Sequence, residues 1–391
     1  MYGKSISDLK PMTAGIIPVG IAERQERIEK AQRLMRENHM SAIFFEPGAT
    51  LFYFTGIEWS RSERMLAAIL PVQGEIAYVC PTFEEERLRE LMIFGKEVRV
   101  WEEHESPYAL VAGVLRDRGI LSGKIGIEES VRFFLVDGIH QAAPHLEWVS
   151  ADAVAIPCRA CKSAAEIALM QRAMEITIEA YKVCVSLLRE GMSQEEFRLT
   201  SIAAHKALGA EGSIGVQFGA STAFPHGSKK MEYLKEGDVV LMDGYCTIEG
   251  YHSDISRTIV FGKPTQRQRD IWNLEKEAQA AAFRAAQIGA PCEAVDAAAR
   301  KVIVDAGLGP GYRVPGLPHR TGHGIGLDIH EHHHMVQGNK TPLAPGMCFT
   351  DEPMIAIYGE FGVRLEDCVH MTENGPRFFT QPSPSIEQPF V

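Results

Sequence analysis

Five residues have the types and spacing to hold metal ions: Asp243, Asp254, His323, Glu352 and Glu366. The first two bracket the run DGYCTIEGYHSD, in which β-branched and aromatic residues are broken by Glu249-Gly250, the pattern of a hairpin. With the turn centred between Ile248 and Glu249, the two aspartates stand directly opposite each other. Facing carboxylates repel unless something lies between them, and a cation would supply that. The competing reading turns one aspartate to solvent or to Arg257.

His323 lies between two glycines in RTGHGIGLDIHEHHH, where the backbone can approach a ligand closely, and His330 follows seven residues later. A neutral imidazole is a common ligand for borderline metals. His332, His333 and His334 could extend a metal tract, but they read better as surface or rim residues. Glu352 precedes a proline, which biases it towards extended geometry. Glu366 follows Arg364 by two residues, so a strand would put both on one face. Asp351, Glu360 and Asp367 are left out of the set.

Four carboxylates and one imidazole suit Mn²⁺, Co²⁺ or Zn²⁺ better than a thiolate-type site would. They are too many for one tetrahedral zinc that keeps a water. Two metals sharing bridging carboxylates, roughly 3.5–4 Å apart, accommodate them and could activate water while polarising a carbonyl.

The elements that must position these residues follow from the pattern. Residues 1–20 read as an extended arm and Ile21 to about Asn38 as a helix. The apolar runs SAIFFE, LFYFTG, MLAAILPV, EIAYVCP, EVRVWE, KIGIEE and LEWVSA then alternate with helical stretches, suggesting α/β units around a sheet up to about Pro157. A long helix follows Lys162, opened by a Ser163–Glu166 capping box and with Gly191 as a C-terminal stop. A weak internal repeat begins there. Gly191–Gly209 and Gly289–Gly307 enclose helical segments of equal length, and aligning Gly237 with Gly346 puts Asp243 on Glu352. Each half then runs on to a second carboxylate, Asp254 or Glu366. Two similar halves would bring the four acids to one central cleft.

The bulk numbers limit the alternatives. With 391 residues, two or three domains are expected at roughly 150 each. A net charge of −11 argues against nucleic acid or an anionic membrane as partner. No apolar stretch reaches spanning length, and the start lacks a signal-peptide pattern, which points to the cytoplasm. Eight scattered cysteines form no disulfide framework, and Cys158-x-x-Cys161 lacks the second pair of a zinc ribbon. There is no G-x-x-x-x-G-K-[ST] phosphate loop and no G-x-S-x-G elbow.

With these residues in view, the sequence resembles the aminopeptidase P/prolidase/creatinase family. The resemblance rests on PHG at 225–227, the Asp pair in LMDGYCTIEGYHSDISRT, HRTGHGIGLDIHE, TDEP and GVRLED, with looser similarity back to about residue 40. It implies an α+β protein: a C-terminal pita-bread catalytic domain at 158–391 and an N-terminal creatinase-like α/β domain at 1–157. It also implies two divalent ions per subunit, Mn²⁺ foremost, with Co²⁺ or Zn²⁺ as alternatives. Asp243 would be terminal on the first metal, Asp254 and Glu366 bridging, and His323 and Glu352 on the second, with Glu352 also the general base. His226, His319 and His330 match pocket histidines, and Arg364 an arginine that orients the carboxylates. The implied activity is cleavage of Xaa-Pro bonds in a di- or oligopeptide by a homodimer, with Trp59, Arg61 and Arg64 candidates for the subunit border. One departure stands out: Met354 follows Glu352-Pro353 where many members have glycine, which puts the pocket wall in doubt. The alternatives are a related hydrolase of another amide or ester, and a non-catalytic pita-bread binding module. Retention of all five ligand-type residues weighs against the second.

Overall fold

The computed structural model describes residues 5–390. They form two compact units, residues 19–159 and a second unit made of the arm through Pro18 together with Ala160 onward. The arm, expected to go with the N-terminal part, lies on the second unit: Met12 N–H donates to Leu208 O (2.8 Å), and Arg172 donates to Met12 O (2.5 Å).

In the first unit, strands β1 (Met40–Phe45), β2 (Ala67–Pro71), β3 (Ala77–Pro81), β4 (Glu97–Trp101), β5 (Lys124–Ile127) and β6 (Glu147–Ser150) form one sheet in the order β4-β3-β2-β1-β5-β6. Its helices are α1 (Ile21–Glu37), α2 (Ala49–Thr55), α3 (Glu85–Leu91), α4 (Pro107–Asp117), α5 (Phe133–Ala142) and α6 (Asp152–Ala160), which runs through Pro157. Six of the seven apolar runs are strands. LFYFTG instead falls in α2, which ends where Gly56 takes φ +75° and its N–H caps Phe52 O at 2.8 Å. A short segment buried on most sides loses the periodicity that separates helix from strand. Trp59, Arg61 and Arg64 are engaged within this unit: Arg87 lies over Trp59, Arg61 donates to Pro47 O, and Arg64 pairs with Glu103.

The second unit opens with α7 (Ala164–Ser186), started by the Ser163–Glu166 capping box. It stops at Ser186, five residues before Gly191, which serves a separate turn at φ +77° with its N–H on Leu234 O. Then follow α8 (Gln194–Leu208), β7 (Glu211–Phe218), β8 (Val239–Ile248), β9 (Tyr251–His252) and β10 (Ile255–Val260). After α9 (Gln266–Ala285) and α10 (Cys292–Asp305) come β11 (Gly322–Gly324), β12 (Glu331–Met335), β13 (Cys348–Asp351), β14 (Met354–Ile357), β15 (Phe361–Arg364), β16 (Asp367–Thr372) and β17 (Gly375–Phe378). The repeat is visible in the backbone. Gly191, Gly209 and Gly237 in one half, and Gly289, Gly307 and Gly346 in the other, all hold φ between +77° and +88°, where glycine alone is unstrained.

The halves carry sheets β10-β8-β7 and β12-β11-β13-β16-β17. They are stitched where Ser256 and Glu366 exchange backbone hydrogen bonds at 3.3 and 3.2 Å. The hairpin register differs from the expected one. Asp243 pairs with Ser256, not Asp254, because Glu249 and Gly250, at φ +50° and +79°, make a tight two-residue turn closed by the Ile248–Tyr251 pair. Asp254 therefore sits two residues before Asp243's partner.

Candidate metal centre

The stitching point is where the predicted ligands meet. Asp243 comes from β8, Asp254 from the entry to β10, His323 from the middle of β11, Glu352 from the end of β13, and Glu366 from the link between β15 and β16. Ligand atoms of Asp254, His323 and Glu366 all lie within 4.8 Å of one another. His323 Nε2 is 3.6 Å from Asp254 and 3.2 Å from Glu352. Ser256 Oγ joins the fifth residue, lying 2.9 Å from Asp243 and 2.7 Å from Glu366.

Strand packing explains the glycines around His323. A Cβ on Gly322 would stand 1.9 Å from Thr350 O, and one on Gly324 would stand 2.4 Å from His332 O. The close approach is therefore to the neighbouring strands, where a ligand had been expected. His323 Nδ1 is 3.0 Å from Gly324 O. A proton on Nδ1 would donate to that carbonyl, the orientation in which metal-ligating histidines present Nε2 to a metal.

The electrostatics explain what such a cluster requires. Burial, then the charges of Asp243 and neighbouring acids, push Asp254 well above the usual carboxylate range, and Glu366 moves the same way for the same reason. Burial also raises Glu352, but the hydrogen bond and charge of His323, with His319 and Arg364, overcome it and hold Glu352 at about 2. Glu366 Oε1 is buried with no hydrogen-bond partner. Arg364 supplies one positive charge, 2.6 Å from Asp243, and its Nε donates to Ser256 Oγ at 2.9 Å. Four facing carboxylates with one guanidinium and an orphaned buried oxygen fit cations bound between them.

The remaining predicted residues fall around this centre. Burial pushes the His319 imidazole below its usual range; its Nδ1 meets Arg320 O at 2.7 Å and its Nε2 is buried without a partner. His330 is exposed and stands edge-on to His323, 4.3 Å between ring centroids. His226 is exposed on the loop after β7, and its charge weighs on His330. His332, His333 and His334 lie on strand β12, each half-buried. Met354 is fully buried in the hydrophobic core, against the space left by Gly362. Arg257 does not meet the aspartate pair; it binds Asp367 at 2.7 Å, both side chains fully buried. Asp351 is buried with neither carboxylate oxygen hydrogen-bonded, burial pushing it well above the usual carboxylate range, and Glu360 meets Arg267 at the surface.

Several supporting residues carry no sequence signal. Thr350 Oγ1 accepts from His323 N–H (3.0 Å) and donates to Glu352 (3.2 Å). Asp296 accepts from Thr321 N–H and hydroxyl (3.1 and 2.8 Å) and is held by Arg300 at 2.7 Å. Lys162 and Glu331 form a buried ion pair at 2.9 Å, and Glu331 also accepts from Asp328 N–H (3.1 Å), fixing the loop that carries His330. Their types are common, and their meaning comes only from cross-strand neighbours.

Residues 168–373 match metallopeptidase family M24, and residues 27–161 match the creatinase/prolidase N-terminal domain. An Xaa-Pro dipeptidase of Lactobacillus delbrueckii subsp. lactis is 30% identical over 92% of this chain and 98% of its own. The crystal structure of dipeptidase PepE from Mycobacterium ulcerans superposes with a TM-score of 0.86 at 32% identity, covering 93% of this chain and 97% of that one. Recombinant prolidase from Thermococcus sibiricus gives 0.85 at 30% identity, covering 93% and 98%.

Proposed function

The chain belongs to metallopeptidase family M24, and from that premise we propose that it hydrolyses the bond between an N-terminal residue and proline with two divalent ions, Mn²⁺ foremost. The observation that carries this is the buried meeting of Asp254, His323 and Glu366, extended through Ser256 and Glu352 to all five ligand-type residues. The relatives named as Xaa-Pro dipeptidase and prolidase support the choice of bond.

Asp243, Asp254, His323, Glu352 and Glu366 would hold the ions. When bound, the ions would lower the pKa of a water and polarise the scissile carbonyl. Glu352 would take a proton from the attacking water and pass it to the leaving nitrogen. Arg364 and Ser256 fix the direction of Asp243 and Glu366. His319, whose Nε2 is unpartnered, and His330, beside His323, would meet the substrate or the developing oxyanion. A homodimer, and a catalytic domain beginning near residue 158, accompany this reading.

The test is Asp254→Ala. Metal content and Xaa-Pro turnover should be lost together. Parental turnover in that variant refutes the two-ion reading.

A further inference from the structure

Around the metal centre, Arg257, Arg300 and Arg364 are each bound to carboxylates and carbonyls. Arg320 differs. It lies three residues before His323 and is half-buried, and its guanidinium makes no hydrogen bond or ion pair among the described residues. Burial works against its charge, and Glu352, already 3.2 Å from His323, is the acid that favours it. Its other electrostatic neighbours are the imidazoles of His330 and His334, both disfavoured as cations. His334 Nδ1 is itself buried without a partner, leaving a second polar nitrogen open in the same surroundings.

A guanidinium taken half out of water without an anion is costly, and its planar fork matches a carboxylate with two parallel N–H···O bonds. Two ions bound nearby would add repulsion and sharpen the need for a negative group. We propose that Arg320 binds a carboxylate of the substrate. This rests on the Xaa-Pro reading and adds a specificity determinant to it. The carboxylate has two sources. It is either the free C-terminus of an Xaa-Pro dipeptide, which an internal residue lacks, or an acidic Xaa side chain.

Three substrates separate them: Ala-Pro, Ala-Pro amide and Glu-Pro amide, each with the parent, Arg320→Gln and Arg320→Lys proteins loaded with Mn²⁺. Losing a charge-assisted, two-pronged bond should lower kcat/KM by about 10- to 100-fold, mainly through KM. Loss on Ala-Pro that largely spares Ala-Pro amide identifies the terminus. Loss on Glu-Pro amide beyond that on Ala-Pro amide identifies the side chain. Arg320→Lys, with the charge but not the fork, should fall between parent and Gln variant. An equal effect on all three substrates, or none, overturns the assignment while the parent still cleaves. A parent that cleaves none of the three overturns the Xaa-Pro reading and this inference with it.

Discussion

Ser256→Ala should weaken metal binding without touching any proposed ligand. The hydroxyl is fully buried, accepts from Arg364 Nε at 2.9 Å, and lies 2.9 Å from Asp243 and 2.7 Å from Glu366. Its single proton serves one of the two carboxylates at a time. Deletion removes that bond to a charged group and leaves Arg364 Nε unpaired. A hydrogen bond to a charged group is worth about 1.5–3 kcal/mol. Expressed as metal affinity at about 1.4 kcal/mol per tenfold, that is a loss of about 10- to 150-fold, in line with other residues that orient metal ligands. Calorimetric titration of stripped protein with Mn²⁺ measures it directly, and activity should return at high Mn²⁺. Thr258→Ala is the control. Thr258 lies two residues along the same strand and is equally buried, but its hydroxyl bonds the Arg364 backbone instead of the acids. It should lower stability and leave affinity within about threefold, a difference of about 0.7 kcal/mol. Equal losses in both variants, or none in Ser256→Ala, would refute the reasoning.

Two other outcomes are expected. Lys162→Met leaves Glu331 buried without its partner at 2.9 Å, so denaturant unfolding should show a loss of about 3–5 kcal/mol; a loss below about 1 kcal/mol would mean the pair is dispensable. His334 is held at about 4 by burial and by the charge of Arg320, against an ordinary 6.5. Between those values the unfolded chain takes up a proton that the folded chain refuses, so stability falls as pH drops through the window. The urea midpoint of His334→Gln should therefore drop less than the parent's between pH 7 and 5, and parallel slopes would contradict that.

How much was legible depended on whether a residue's type or its partner carried the meaning. Asp243, Asp254, His323, Glu352 and Glu366 stood out because carboxylates and a glycine-flanked histidine are unusual in apolar strands, and the fold brings ligand atoms of Asp254, His323 and Glu366 together. The glycine repeat also survived, since each position needs positive φ. The hairpin register was missed by two residues because a change in turn centre shifts every pair along the ladder, although alternate residues still share a face. Ser256 and Thr350 were invisible because serine and threonine are common in strands. Only the backbone bridge between the two halves turns Ser256 towards Glu366. Asp351 and Glu366 look alike in sequence and both are buried, yet only Glu366 brings a ligand atom to those of Asp254 and His323. LFYFTG failed for another reason: burial on most sides erases the alternation that distinguishes a strand from a helix turn.

The central claim is metal-dependent cleavage at proline. Its most direct test is hydrolysis of Xaa-Pro, Xaa-Pro-Yaa and Xaa-Ala-Yaa by stripped protein, before and after resupply with Mn²⁺, Co²⁺ or Zn²⁺. The account predicts no turnover in the stripped protein and restored cleavage confined to the Xaa-Pro bond. Full cleavage without metal, equal cleavage of Xaa-Ala-Yaa, or no cleavage with any of the three ions would contradict it.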